Sequence, residues 1–282
     1  MKTILIPTDF SNNAYCALYY ATQLFAEEKC TFIIVHSFEN QVTNLTSRID
    51  IGKTEAVVDE LYNTCESNCD EVKHKIILDT NNNKHCYKTI ATSLSLSRAI
   101  NKLIAKEQVD FVVMGSKGST GASDILVGSN TLAMIRKIKK KPLLVVPQEF
   151  DFKPIKKIAF ATGFKRAYTK NELQPLLDIS SISNTGIKVI HVHKNKKKSD
   201  LQRANSHQLF KLLEKGNPKN NWLPGETDTY DAITSFLKKE QIDLLAMIYY
   251  KHNAIVRLFR EATVKDIAKY TGIPFLIMPT LD

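Results

Sequence analysis

Cysteine, glycine, proline and long apolar runs are all scarce in this chain, and each scarcity removes a class of protein. Five cysteines, Cys16, Cys30, Cys65, Cys69 and Cys86, are too few and too crowded into the first half to frame a disulfide scaffold. That usage points to a reducing, cytoplasmic setting. No apolar run approaches the roughly 18 residues that a membrane span needs. The opening MKTILIPTDFS enters a strand-like run and a Pro-Thr-Asp turn rather than a signal peptide. With 10 glycines and 9 prolines among 282 residues, the composition is that of an ordinary globular protein. No Ser-His-Asp, Cys-His or paired-carboxylate arrangement stands out, so the residues alone assign no reaction.

The length suits two domains better than one, since a single domain most often has roughly 100–150 residues. The formal net charge of +10 is lopsided: residues 1–150 hold 17 of the 39 basic and 16 of the 29 acidic residues, leaving 22 and 13 for residues 151–282. A surplus of this kind sets solubility more often than it marks a nucleic-acid surface. Nucleic acid is therefore not an expected partner.

Read for internal similarity, the chain repeats itself. KTILIPTDF (2–10) matches KKIAFATGF (156–164), and TFIIVHSF (31–38) resembles GIKVIHVH (186–193), with His36 opposite His191. KEQVDFVVM (106–114) is restated as KEQIDLLAM (239–247), and KPLLVVP (141–147) as IPFLIMP (273–279). The order is the same in both halves. This is a tandem duplication, with domains at 1–148 and 154–282.

The runs ILI, FIIV, FVVM and LLVV, then IAFA, IKVI, LLAM and FLIM, have no polar alternation, which suits strands buried on both faces of a parallel sheet. Helix-period segments lie between them. Ser11 is placed to cap a helix whose Ala14, Leu18, Ala21 and Phe25 share a face; Leu96, Ile100, Leu103 and Ile104 do the same in another, as do Ile233, Phe236 and Leu237. Strand alternating with helix, twice over, predicts two α/β domains. The first half carries roughly twenty extra residues between His36 and Lys106, including a predicted crossover helix, KTEAVVDELYNTCESNC, in which Val57, Val58, Leu61, Tyr62, Cys65 and Cys69 share a face. The flanking ENQVTNLTS and DTNNNKH read as loops.

Four of the glycines, 115, 118, 121 and 128, fall in MGSKGSTGASDILVGSNT, between FVVM and a helix-like segment. Ligands of an open parallel sheet bind at the carboxyl ends of its strands. There Gly115 and Gly118 can bring main chain against an anion without a Cβ, or adopt positive φ. Gly128-Ser129 opens a helix whose first N–H groups lack intrahelical acceptors, with Ser129 and Thr131 adding hydroxyls. The spacing G-x2-G-x9-G-S, with the opening KTILIPTDFS and FIIVHSF, resembles the nucleotide-binding signature of the universal stress protein family. The resemblance covers the first half and, more faintly, the second.

It implies a flavodoxin-like, or adenine nucleotide α-hydrolase-like, layout with strand order 3-2-1-4-5 in each domain. It also implies ATP, or a related adenine nucleotide, as ligand. Base and ribose fall near Thr8, Asp9, Ser37, Met114 and Gly115, and phosphates against Gly118, Ser119, Gly128, Ser129 and Asn130. Family members often have an aliphatic residue where Ser37 stands. Asp9 is placed to hold ribose, to steer a Mg²⁺ carried by the phosphates, or to cap the helix that starts at Ser11. The implied role is that of a stress-response regulator; slow ATP hydrolysis, for which Lys117 is the nearby basic residue, and a nucleotide-free scaffold are the alternatives. The family pairs domains through its last strands, so LLVV and FLIM are expected to pair within a chain or between two chains of a homodimer, beside a protein partner that the residues do not identify.

Aligning Met247 with Met114 puts Ile248, Lys251, Glu261 and Ala262 where Gly115, Gly118, Gly128 and Ser129 stand, and Gly163 where Asp9 stands. The second half is expected to leave the equivalent site empty of ATP. Its Tyr249, Tyr250, Lys251, His252, Arg257 and Arg260, like KNKKKS (194–199), read as solvated surface. Gly52-Lys53-Thr54 mimics the tail of a phosphate-binding P-loop, but Ser47 replaces its first glycine and no buried strand precedes it. Cys65, Cys69, His85 and Cys86 have the makings of a metal set, yet cysteines four apart on an apolar helix face read as core. His36 and His191 read as structural strand-end histidines.

Overall fold

The computed structural model describes residues 1–46, 54–117, 128–138, 140–148, 150–193, 198–224, 229–249 and 272–281. The P-loop look-alike at 52–53, Gly118 and Ser119, Lys194–Lys197, and Tyr250 through Val264 lie outside them.

The chain divides into two compact units, Met1–Phe152 and Lys153–Asp282. In the first, β1 (Lys2–Thr8), α1 (Asn12–Leu24), β2 (Cys30–Ser37), α2 (Glu39–Thr46), α3 (Thr54–Thr80), β3 (His85–Thr92), α4 (Leu96–Lys106), β4 (Phe111–Gly115), α5 (Ser129–Lys137) and β5 (Leu143–Val146) follow one another. Its strands are parallel and lie in the order β3-β2-β1-β4-β5. In the second, β6 (Ile158–Ala161), α6 (Lys170–Ile182), β7 (Ile187–His193), α7 (Asp200–Leu212), β8 (Lys219–Pro224), α8 (Thr229–Glu240), β9 (Leu244–Tyr249) and β10 (Phe275–Pro279) give the parallel order β8-β7-β6-β9-β10. Each sheet is thus the expected 3-2-1-4-5 arrangement, which reverses direction beside its first strand.

All eight continuous apolar runs are strands. Ile4, Leu5 and Ile6 of β1, Phe32 to Val35 of β2 and Val112 to Met114 of β4 are buried, as a sheet covered on both faces requires. The outer strands β3 and β8, HCYKTIAT and KNNWLP, are polar and partly exposed, which is why no apolar run announces them. Ser11 does cap α1, accepting from the N–H of Ala14 at 3.2 Å, and Ala14, Leu18, Ala21 and Phe25 are buried as their spacing predicts.

Two loop expectations are corrected. ENQVTNLT forms α2, and α3 runs on to Thr80 instead of stopping near Cys69. The extension is held from outside: the Tyr15 hydroxyl of α1 bonds the Asp79 carboxylate, and the Lys75 ammonium lies 4.2 Å from the Tyr15 ring centroid. α2 closes over an apolar pocket of Phe38, Cys65 and Ala91 flanked by Val42 and Leu61. Among the described residues, no helix is long and apolar enough to cross a membrane.

Candidate functional site

In the first unit the switch point of the sheet gathers the ends of β1, β2 and β4. β1 and β2 finish in step, with Thr8 opposite His36. The Thr8 hydroxyl accepts from the N–H of Phe10 at 3.1 Å, which tightens the turn and puts Phe10 at φ 64°. Its ring lies against His36, with centroids 4.3 Å apart. His36 Nδ1 is 2.9 Å from the Thr8 carbonyl. A carbonyl can only accept, so Nδ1 carries the proton, and the buried Nε2 is left without a partner. Burial holds the imidazole pKa below its ordinary value, against the opposing pull of the Thr8 bond and the Asp9 charge.

Asp9 turns its carboxylate onto Ser11, accepting from the backbone N–H at 3.2 Å and from the hydroxyl at 2.6 Å through the same Oδ1. It therefore braces the start of α1, one of the roles its position suggested. Ser37 is also engaged: its hydroxyl donates to the Leu94 carbonyl at 2.7 Å, joining the end of β2 to the loop after β3.

β4 delivers the buried pair Met114 and Gly115. No described glycine has positive φ, so left-handed freedom does not explain Gly115. Space does. A Cβ there would lie 2.6 Å from Asn13 Nδ2, 2.8 Å from Asn13 Cγ and 3.0 Å from the Asn13 carbonyl oxygen. The glycine admits α1 against the strand end. Asn13 Nδ2 then donates to the Lys117 carbonyl at 2.7 Å.

The chain returns to this place at Gly128, whose N–H donates to the Ser116 carbonyl at 2.8 Å. Gly128 is the N-cap of α5, at φ −62° and ψ 157°, and makes no side-chain cap bond; the first turn contains no acidic residue. The leading N–H groups of α5 therefore point out of the helix uncapped by any cap side chain, at its electropositive end. Ser129 and Asn130 are exposed there. Thr131 is not: it is buried, and its hydroxyl donates to the Gly115 carbonyl at 3.0 Å, so it anchors α5 to β4 instead of adding a ligand hydroxyl.

Thr8, Asp9, Met114, Gly115, Gly128, Ser129 and Asn130 thus surround the ends of β1 and β4, with Ser37 at the end of β2. Asn13 escaped the sequence reading. Its signal was a polar residue on the core-facing side of α1, in step with the buried Ala17, Tyr20 and Leu24.

The second unit repeats the turn and closes it. His191 Nδ1 lies 2.8 Å from the Thr162 carbonyl, and Phe164 sits at φ 52° with its ring 4.9 Å from His191. Here α7 reaches the turn: Gln202 Nε2 donates to the Gly163 carbonyl at 3.0 Å, Asn205 Nδ2 to the Phe164 carbonyl at 3.0 Å, and Gln208 Nε2 to the Tyr168 carbonyl at 3.2 Å. The Lys198 ammonium stands 4.4 Å from the Phe164 ring centroid and 3.9 Å from that of Trp222, and burial lowers its pKa. Carbonyls and ring faces at this end are satisfied by the chain itself.

The family model of the universal stress proteins matches residues 1–147. The chain belongs to the universal stress protein family. Over 292 aligned residues it is 27% identical to Universal stress protein Slr1230 of Synechocystis sp. (strain ATCC 27184 / PCC 6803 / Kazusa), covering 98% of this chain and 99% of that protein. Universal stress protein MJ0577 of Methanocaldococcus jannaschii is 28% identical over 159 residues, which are 52% of this chain and 96% of that one. A universal stress protein from Archaeoglobus fulgidus DSM 4304 superposes with a TM-score of 0.67 over 99% of this chain and 97% of its own, at 16% identity. A universal stress protein homologue from Pseudomonas aeruginosa UCBPP-PA14 gives 0.56 over 99% and 93%, at 10% identity. The last two share the fold of this universal stress protein and, at such identities, speak to nothing else.

Proposed function

We propose that the first unit, residues 1–148, binds ATP or a related adenine nucleotide at the ends of β1, β2 and β4, and that the chain acts as a cytoplasmic stress-response regulator. The observation that carries this reading is the start of α5. A nine-residue helix opens on Gly128 with no acidic residue in its first turn and no side-chain cap, beside a glycine-spaced strand end. Such a terminus has the donors and the partial positive charge that a phosphate group needs. Ser129 and Asn130 are the exposed residues of that turn; Gly118 and Ser119 complete the phosphate set, and Thr8, Asp9, Ser37, Met114 and Gly115 the base and ribose end. Mg²⁺, where present, rides on the phosphates, with Asp9 placed to steer it.

The second unit, residues 154–282, is a degenerate domain that takes no nucleotide at the equivalent place. Support comes from Gly163 in place of Asp9 and from α7, whose side chains occupy the backbone carbonyls of the turn. Pairing through the last strands, β5 and β10, within a chain or in a homodimer, completes the proposed assembly.

Denaturing the purified protein and weighing any released nucleotide tests occupancy and identity together; calorimetry with ATP and Mg²⁺ measures binding. One nucleotide per chain is expected. Absence of both released nucleotide and heat would refute the proposal.

A further inference from the structure

Asn13 is a buried amide whose oxygen makes no hydrogen bond. Only 7% of the residue is exposed. Nδ2 is committed to the Lys117 carbonyl at 2.7 Å, while Oδ1 is buried and has no hydrogen-bond partner. Turning the amide over does not cure this, because Oδ1 would then face a carbonyl oxygen that cannot donate. Buried side-chain acceptors are nearly always paired, so an orphan beside Gly115 and Lys117 marks a place where a donor is missing.

We propose that Asn13 is the positioning residue of the nucleotide site. Nδ2 fixes the Lys117 carbonyl and with it the Ser116–Lys117 bend after β4, and Oδ1 accepts a hydrogen bond from a donor that arrives with the ligand. The proposal rests on the nucleotide reading of the first unit. Its geometry is independent of that reading: Gly115 has lost its side chain to admit Asn13, whose amide group sits 2.6 to 2.8 Å from where a Cβ would be. The chain is pinned just before Lys117 as well, since the Ser116 N–H donates to the Val146 carbonyl at 2.8 Å and the Ser116 carbonyl accepts from the Gly128 N–H at 2.8 Å. Asn13 therefore ties α1, β4 and the start of α5 into one body. The repeat keeps the capped helix start without this use of it: Thr169 caps α6 through a box with Glu172.

Two variants of the full chain test this. Asn13→Leu keeps the branched outline of the side chain and removes the orphan acceptor together with the donor to the Lys117 carbonyl. The ligand-free protein is expected to melt close to the parent temperature, because the bond lost at the partly exposed Lys117 is offset by removal of the buried orphan, while affinity for ATP with Mg²⁺ by calorimetry falls about tenfold or more. A residue that merely supports the fold would lower both together; that result, or an affinity within about twofold of the parent, overturns the ligand-facing role. Asn13→Asp sets a carboxylate oxygen against the Lys117 carbonyl. Amide exchange at Ser116 and Gly128 is then expected to rise on the order of tenfold without any nucleotide. Unchanged exchange overturns the positioning role. That second measurement needs no ligand, so a parent protein that binds no ATP would fail the nucleotide reading and the acceptor role while the positioning role is still decided.

Discussion

His36 Nδ1 donates to the Thr8 carbonyl across 2.9 Å, and the duplication preserves this bond as His191 Nδ1 to the Thr162 carbonyl across 2.8 Å. In both units the residue two positions after the threonine is a phenylalanine in the left-handed region, a conformation that costs a side-chain-bearing residue about 1–2 kcal/mol. The ring contact with the histidine offsets that cost. A turn this expensive survives twice because it ends the first strand at the switch point and aims the following helix, a need of the fold that does not depend on a ligand.

His36 gives the first unit a pH dependence with a definite sign. Its folded pKa is depressed by burial, so the unfolded chain takes up a proton first. The stability contribution is complete above the ordinary histidine value of about 6.5 and is lost as pH falls from there through the lower folded value. His85, depressed by burial as well, adds in the same direction. Thermal melts between pH 8 and pH 5 are expected to show a falling Tm in the parent and a shallower fall in His36→Phe. At pH 8 the variant should be less stable by about 1–3 kcal/mol, because the Thr8 carbonyl loses its donor. Equal slopes in the two proteins would show that His36 is not the titrating group.

Gly128→Glu separates fold from ligand. At φ −62° and ψ 157° the position is open to any side chain, and a carboxylate at a helix N-terminus is worth about 0.3–1 kcal/mol in its favour. The melting temperature should hold or rise. The same charge would repel a triphosphate, so calorimetric binding of ATP should vanish. Retained affinity would move the phosphate site away from α5.

Gly115→Ala is expected to fail for a different reason. Its Cβ would press on the Asn13 amide and main-chain oxygen, and overpacking of this kind costs about 1–3 kcal/mol. Adding Asn13→Ala to the same chain removes the amide but not the main-chain oxygen at 3.0 Å, so denaturant melts should recover part of the loss. A double variant no more stable than Gly115→Ala would mean that the two residues do not meet.

These residues also mark how far the sequence could be read. Eight of the ten strands among the described residues were legible, because a strand buried on both faces is held to a nearly continuous apolar run. β3 and β8 were not, since an outer strand can carry exposed Lys88 or Asn220 at no cost. The glycine spacing pointed to the switch point, but could not show that Asn13, on another element, crowds Gly115; only the packing of α1 on β4 brings them together. Nor does the sequence single out Gln202, Asn205 and Gln208. What they bond are main-chain carbonyls of the turn after β6, and main-chain acceptors leave no trace in a sequence pattern.

That self-occupied turn makes Trp222 a reporter. It is the single tryptophan of the chain, 44% exposed, with His191 edge-on at 5.7 Å and the Lys198 ammonium 3.9 Å from its ring centroid. A cation over an indole face contributes about 0.5–2 kcal/mol and perturbs its emission, so Lys198→Met should change the spectrum of the ligand-free protein and lower stability by a similar amount. ATP at concentrations that saturate the calorimetric site should leave the parent spectrum unaltered, because the carbonyls and ring faces around Gly163 and Phe164 already have partners within the unit. A tryptophan response that saturates together with a second calorimetric site would show that the second unit opens to nucleotide after all. One site by calorimetry and a silent Trp222 would assign binding to the first unit, and would leave α7 as the physical reason that the duplicate lost it.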